Sequence, residues 1–73
     1  MEKNILLNDI VTLTCDFQEL KKGDKGTVVH DYCTNNYEVE FIIDNKSIIK
    51  TLPKNKLKRW TNYLLLFKKY LLH

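Results

Sequence analysis

Hydrophobic and polar positions alternate most clearly in the middle of this 73-residue chain. Tyr37, Val39, Phe41 and Ile43 recur with period two and Glu38 and Glu40 lie between them. That is the pattern of a strand with one face in a core and one in water. Ile42 interrupts the polar face, which predicts that this end of the strand is covered on both sides. Upstream, Thr27, Val28 and Val29 are β-branched and suit a pleated, half-buried surface. His30 and Tyr32 share the parity of Val28, so simple alternation places all three on one face. Gly23 and Gly26, the only glycines, fall in the polar patch Lys21 to Thr27 and predict a sharp reversal or bulge before this strand. Thr34, Asn35 and Asn36 form the next polar interruption, with Asn35-Asn36 as the hairpin tip.

The flanking segments extend the same pattern. Met1 to Leu7 reads as a lead-in and Asn8-Asp9 as a turn. Ile10 to Thr14 is a strand, with Val11 and Leu13 on one face and Thr12 and Thr14 on the other. A loop over Cys15 to Leu20 tucks Phe17 and Leu20 beneath it as core plugs. After the turn Asp44-Asn45-Lys46, Ser47 to Leu52 is a strand of weaker alternation. Pro53 ends it, having no N–H to donate to a ladder. Pro53 to Lys56 makes one helical or 3₁₀ turn, and Leu57 to Arg59 forms a last short strand beside the first. Four to five short strands with regularly spaced turns predict a mainly β fold, a small antiparallel barrel, over residues 1–60.

Residues 61–73 differ in kind. They contain no glycine or proline, and Thr61 is a suitable N-cap. Tyr63, Leu64, Phe67, Tyr70 and Leu71 fall at helical spacing, with Lys68 and Lys69 together on the opposite face. The segment therefore predicts a C-terminal amphipathic α-helix. A helix of this length is marginal alone in water and needs something to pack on. Three roles are open to it: a cap on its own barrel, a dimer or partner contact, or a membrane-surface contact.

Charge sharpens the division. Residues 1–45 hold all nine acids against four lysines, whereas residues 46–73 hold eight bases and no acid. Such asymmetry points to a charged partner, or to two ends that attract one another or a second copy. Cys15 and Cys33 are too few and too far apart in sequence for a disulfide framework or a zinc site and read as free thiols in a reducing cytoplasm. No signal peptide is visible. The apolar run Leu64 to Phe67 is far below the ~20 residues that span a bilayer.

Leu7, Asp9, Ile10, Val11 and Leu13, then Leu20, Gly23, Gly26, Thr27, Val28, Val29 and Tyr32, then Tyr37, Glu38, Val39, Glu40 and Phe41, and finally Thr51, Leu52 and Leu57 form a spaced pattern. It resembles a family of short bacterial proteins of uncharacterised function with an SH3-like barrel. Lys25, where that family tends to be apolar, and the tail from Trp60 onward depart from it. The resemblance implies the fold and no catalytic residue. Because members look like partners or antidotes of neighbouring toxins, it also implies an inhibitory binding role. The G-x-x-G-T-V-V turn is similar, over a shorter stretch, to the KOW type of SH3-like barrel, which binds RNA or protein.

The residues themselves offer no catalytic constellation, and the chain is expected to be no enzyme and to need no cofactor or metal. His30 is the sole internal histidine, and Cys15, His30 and Cys33 are not spaced as metal ligands. Gly23 to Gly26 lacks the G-K-[ST] ending of a P-loop. Two functions remain. One is a protein-binding module of antitoxin or immunity type, contacting a partner or a second copy through Trp60, Tyr63, Leu64, Phe67, Tyr70 and Leu71, or through Glu38 and Glu40; aromatic anchors dominate such contacts. The other is a nucleic-acid binder using Lys50, Lys54, Lys56, Lys58 and Arg59, whose charges would meet phosphates while Trp60 stacks on a base.

Overall fold

Two residues in the left-handed region, Asp44 and Asn45, join the two longest strands. Positive φ at both central positions gives the turn a twist that matches right-twisted strands. The computed structural model describes residues 5–60. Within them lie β1 (Ile10–Leu13), β2 (Lys25–Asp31), β3 (Asn36–Ile43), β4 (Lys46–Pro53), a 3₁₀ turn (Lys54–Lys56) and β5 (Leu57–Arg59). All neighbours pair antiparallel in one sheet of order β4-β3-β2-β1-β5. The last strand lies beside the first, as the sequence predicts. The expected C-terminal helix lies outside the described residues.

One core joins the strands. Val11, Leu13, Val28, Tyr37, Val39, Phe41, Leu52 and Leu57 come from all five, and Ile5 and Leu20 complete the buried set. Val11, Val28, Val39, Phe41 and Leu52 have no exposed surface. A flat sheet would leave this face in water, so the sheet must curl over itself. The long β1–β2 loop plugs the remaining gap, with Leu20 buried and Phe17 packed against the core. Backbone bonds between Phe17 and Leu20 close the loop's tip, and the carboxylates of Asp16 and Asp24 accept the Lys22 and Lys21 N–H groups at 2.8 and 2.9 Å. These bonds replace the ladder that a loop lacks.

Four expectations change. Gly23, at φ +95°, makes the anticipated reversal, but Gly26 does not: it sits buried inside β2. A Cβ there would stand 2.6 Å from Val39 Cγ1 and 2.9 Å from the Glu40 carbonyl oxygen, so Gly26 serves close packing of β2 on β3. The β2–β3 tip is Cys33-Thr34-Asn35, with Cys33 and Asn35 left-handed and Asn36 already in β3. Asp31 holds that tip by accepting the Cys33 N–H at 2.8 Å. The third change is a bulge between Val28 and His30. It breaks the alternation, so Val28 is buried while Val29 and His30 are exposed. The fourth is Ile42, 61% exposed, so the described sheet covers this end on one side only.

Candidate functional site: the outer face of the sheet

Paired residues in an antiparallel ladder point to the same side. The registers therefore set out the outer face row by row. Ile49 opposes Glu40, Glu40 opposes Thr27, and Thr27 opposes Ile10. The Trp60 N–H donates to the Ile10 carbonyl at 2.9 Å, so Trp60 ends this row beside β5. One step along, Ser47 opposes Ile42 toward one edge of the sheet, and Lys25, Thr12 and Lys58 oppose one another toward the other. Lys25 Nζ lies 5.6 Å from the centre of the Trp60 ring, which places that ring on the same face. A third row carries Thr51, Glu38 and His30.

This face is neither a plain wet surface nor a second core. Ile10, Ile42, Ile49 and Trp60 are all exposed on it, Ile42 and Ile49 by more than half. Exposed apolar residues scattered singly need no explanation; several on one face do. Glu38 accepts the Tyr32 hydroxyl at 3.2 Å and Glu40 accepts the Ser47 hydroxyl, so both carboxylates are oriented. The Tyr32 ring stands edge-on to His30, 4.5 Å between centroids. Acid thus gathers on β3, while Lys25 and Lys58 stand toward β1 and β5.

Of the residues the sequence put forward, Glu38, Glu40 and Trp60 share this face. Tyr63, Leu64, Phe67, Tyr70 and Leu71 lie outside the described residues. The basic set does not come together. Lys50 Nζ reaches Gln18 Oε1 at 2.7 Å and Glu19 Oε1 at 3.1 Å. Arg59 Nε lies 3.3 Å from Asp9 Oδ2, and Lys56 sits over the Phe17 ring at 5.5 Å. Lys54 belongs to the 3₁₀ turn, which leaves Lys58 as the member of that set on the outer face. Lys50 shares the parity of Leu52 and Ile48; it escapes the core by running to the β1–β2 loop. Glu19 is held below the usual glutamate range by its own backbone N–H, then by Lys50. On the inner side, burial pushes the Tyr37 hydroxyl above its ordinary range, helped by the nearby Asp31 and Cys33.

Ile10, Ile42 and Ile49 are the residues that strand-pattern reasoning left out of the site. Their signal was present: each occupies a polar-face position beside an inward neighbour, Val11, Phe41 or Ile48. Among the described residues, no three His, Cys, Asp or Glu side chains are grouped to hold a metal ion, and no helix is long and apolar enough to cross a membrane.

Comparison with known proteins gives a family and no activity. The family model of a domain of unknown function, DUF4926, matches residues 7–59, more than half of the chain. The chain belongs to the DUF4926 family. The match covers all five strands and stops before Trp60, so the outer-face residues Ile10, Glu38, Glu40, Ile42 and Ile49 fall within the DUF4926 domain. No curated protein and no solved structure matches the chain.

Proposed function

We propose that this protein is a small non-catalytic protein-binding module, of the antitoxin or immunity type that inhibits a partner, built on an SH3-like barrel. The observation that carries the reading is the outer sheet face, where Ile42 is 61% and Ile49 53% exposed beside two oriented carboxylates, Glu38 and Glu40. Burying that apolar surface against a partner would recover about 25 cal/mol for each Å² removed from water. The carboxylates select a partner that brings basic groups to β3. The barrel reading is supported by the strand order, by β5 pairing back on β1, and by the 3₁₀ turn just before β5. The contact comprises Glu38, Glu40, Ile10, Ile42, Ile49 and Trp60, joined by the stripe Tyr63, Leu64, Phe67, Tyr70 and Leu71. The free thiols Cys15 and Cys33 suit a reducing cytoplasm as its working place.

The test is co-purification of the tagged full-length chain from its host, followed by an activity assay of whatever protein is retained. The expected result is one protein at fixed stoichiometry, inhibited by the added chain and released by Glu38→Lys together with Glu40→Lys. Retention of nucleic acid alone, lost with rising salt, would overturn the proposal in favour of a KOW-like nucleic-acid binder.

A further inference from the structure

We infer that residues 61–73 of this same chain dock as a helix across the outer face, with Tyr63, Leu64, Phe67, Tyr70 and Leu71 turned onto Ile10, Ile42 and Ile49. The face is apolar without a folding reason: its isoleucines are exposed while the core on the other side is complete. The occupant must bring a matching apolar stripe, and the chain carries one. The described chain leaves at Trp60, whose ring already lies on this face, over which Lys25 stands. The next residue therefore starts at the rim of the patch. A segment tethered there meets the face at an effective concentration that a separate molecule reaches only at millimolar levels.

Length and charge fit the same occupant. Thirteen helical residues span about 20 Å at 1.5 Å each. The four strand spacings from β5 to β4 amount to about 19 Å. The tail can therefore reach Ile49 on β4 but not pass far beyond it. Lys68 follows Leu64 by four residues, which puts it at the edge of the stripe and leaves Lys69 alone opposite it; it is the eighth residue after Trp60 and stands ~12 Å along such a helix. The three spacings to β3, where Glu38 and Glu40 sit, come to about 14 Å, within the reach of a lysine side chain. The tail carries two lysines and no acid, and β3 presents two carboxylates in this face.

The docked tail and a partner compete for Ile42 and Ile49, so binding a partner exchanges the tail's stripe from its own sheet to the partner. This regulatory role rests on the proposed function; the docking itself is a property of the isolated chain and is measured without a partner. The experiment uses the full-length chain with labelled isoleucine methyls and protonated phenylalanine and tyrosine rings. A mixture of two differently labelled preparations separates contacts within one chain from contacts between two. The expected result is a monomer of 8.7 kDa with nuclear Overhauser contacts from Ile42 and Ile49 methyls to Phe67 and Tyr70 within one chain. In Phe67→Ser these contacts are lost and the Ile42 and Ile49 methyls shift, while the signals of the core residues Ile5 and Phe41 stay in place. Contacts found only between chains would overturn the inference, with a second copy as occupant. So would Ile42 and Ile49 signals that Phe67→Ser leaves unmoved.

Discussion

The two faces of this sheet carry similar residues to opposite ends. On β3, Phe41 points inward with no exposed surface and its neighbour Ile42 points outward with 61% exposed. On β4, Leu52 is fully buried while Ile49 is 53% exposed. A large apolar residue on the inner face contributes to folding through area removed from water and through close packing. The same kind of residue on the outer face makes no such contribution within the described sheet. What holds the fold and what the fold offers to another surface are thus separated by a single step along a strand.

The strongest way to break the comparison is truncation on each face. Leu52→Ala should cost about 2–5 kcal/mol, because the cavity left in a close-packed core relaxes only in part. Total stability for a domain of this size is on the order of 5 kcal/mol, so that variant should lose roughly half or more of it and melt at a much lower urea concentration. Ile49→Ala, three residues away and facing outward, should cost less than about 1 kcal/mol. Urea melts of the two variants decide this, and comparable losses would mean that the outer face is a second core.

The glycines give a smaller contrast. Gly26→Ala puts a methyl group against Val39, Phe41 and the Glu40 carbonyl and should cost about 1–3 kcal/mol by overpacking. Gly23→Ala meets open space and pays only for positive φ, roughly 1 kcal/mol. The same melts rank them, and a larger loss at Gly23 would argue against tight packing of β2 on β3.

Ionisation separates inside from outside as well. The Tyr37 hydroxyl is raised by burial, so the folded state resists its ionisation. Its contribution is fully present below the ordinary tyrosine range and is lost as pH rises through the raised folded value. Stability measured between pH 9 and 11, a window set by the ordinary tyrosine value of about 10, should therefore fall less steeply in Tyr37→Phe. Glu19 has the opposite sign. Its carboxyl is held low, so its contribution is present above the usual glutamate range and is lost as pH falls through the depressed value. Glu19 is solvent-exposed, and Lys50→Met should change acid unfolding only slightly; a large effect would make the loop-to-β4 tie a main support of the fold.

Much of the fold was legible because local signals agreed. Period-two alternation marked β3, and the Asp44-Asn45 turn marked the β3–β4 hairpin. Pro53 with the following lysines marked the 3₁₀ turn before β5. What escaped did so for tertiary reasons. Gly26 carries the same letter as a turn glycine, and only the approach of Val39 and Phe41 gives it a packing role. The bulge at Val29 inserts one residue that alternation cannot count, so His30 follows Glu38 outward. The basic stretch Lys50 to Arg59 reads as one patch in sequence, yet its members leave a strand, a 3₁₀ turn and an edge in different directions. Lys50 and Arg59 meet Glu19 and Asp9, more than thirty residues distant in sequence. Ile42 is ambiguous in sequence because a break in the polar face looks the same whether it answers to a second core layer or to an outside surface.

The most direct measurement takes the full-length Ile42→Thr and Ile49→Thr double variant, which keeps β-branched residues in both strands, through one preparation with two readouts. The expected result is a stability loss well below that of Leu52→Ala, limited to the tail's contact with the outer face, together with loss of the co-purifying protein. A double variant that keeps its partner at the same stoichiometry, or that loses stability on the scale of Leu52→Ala, would contradict it.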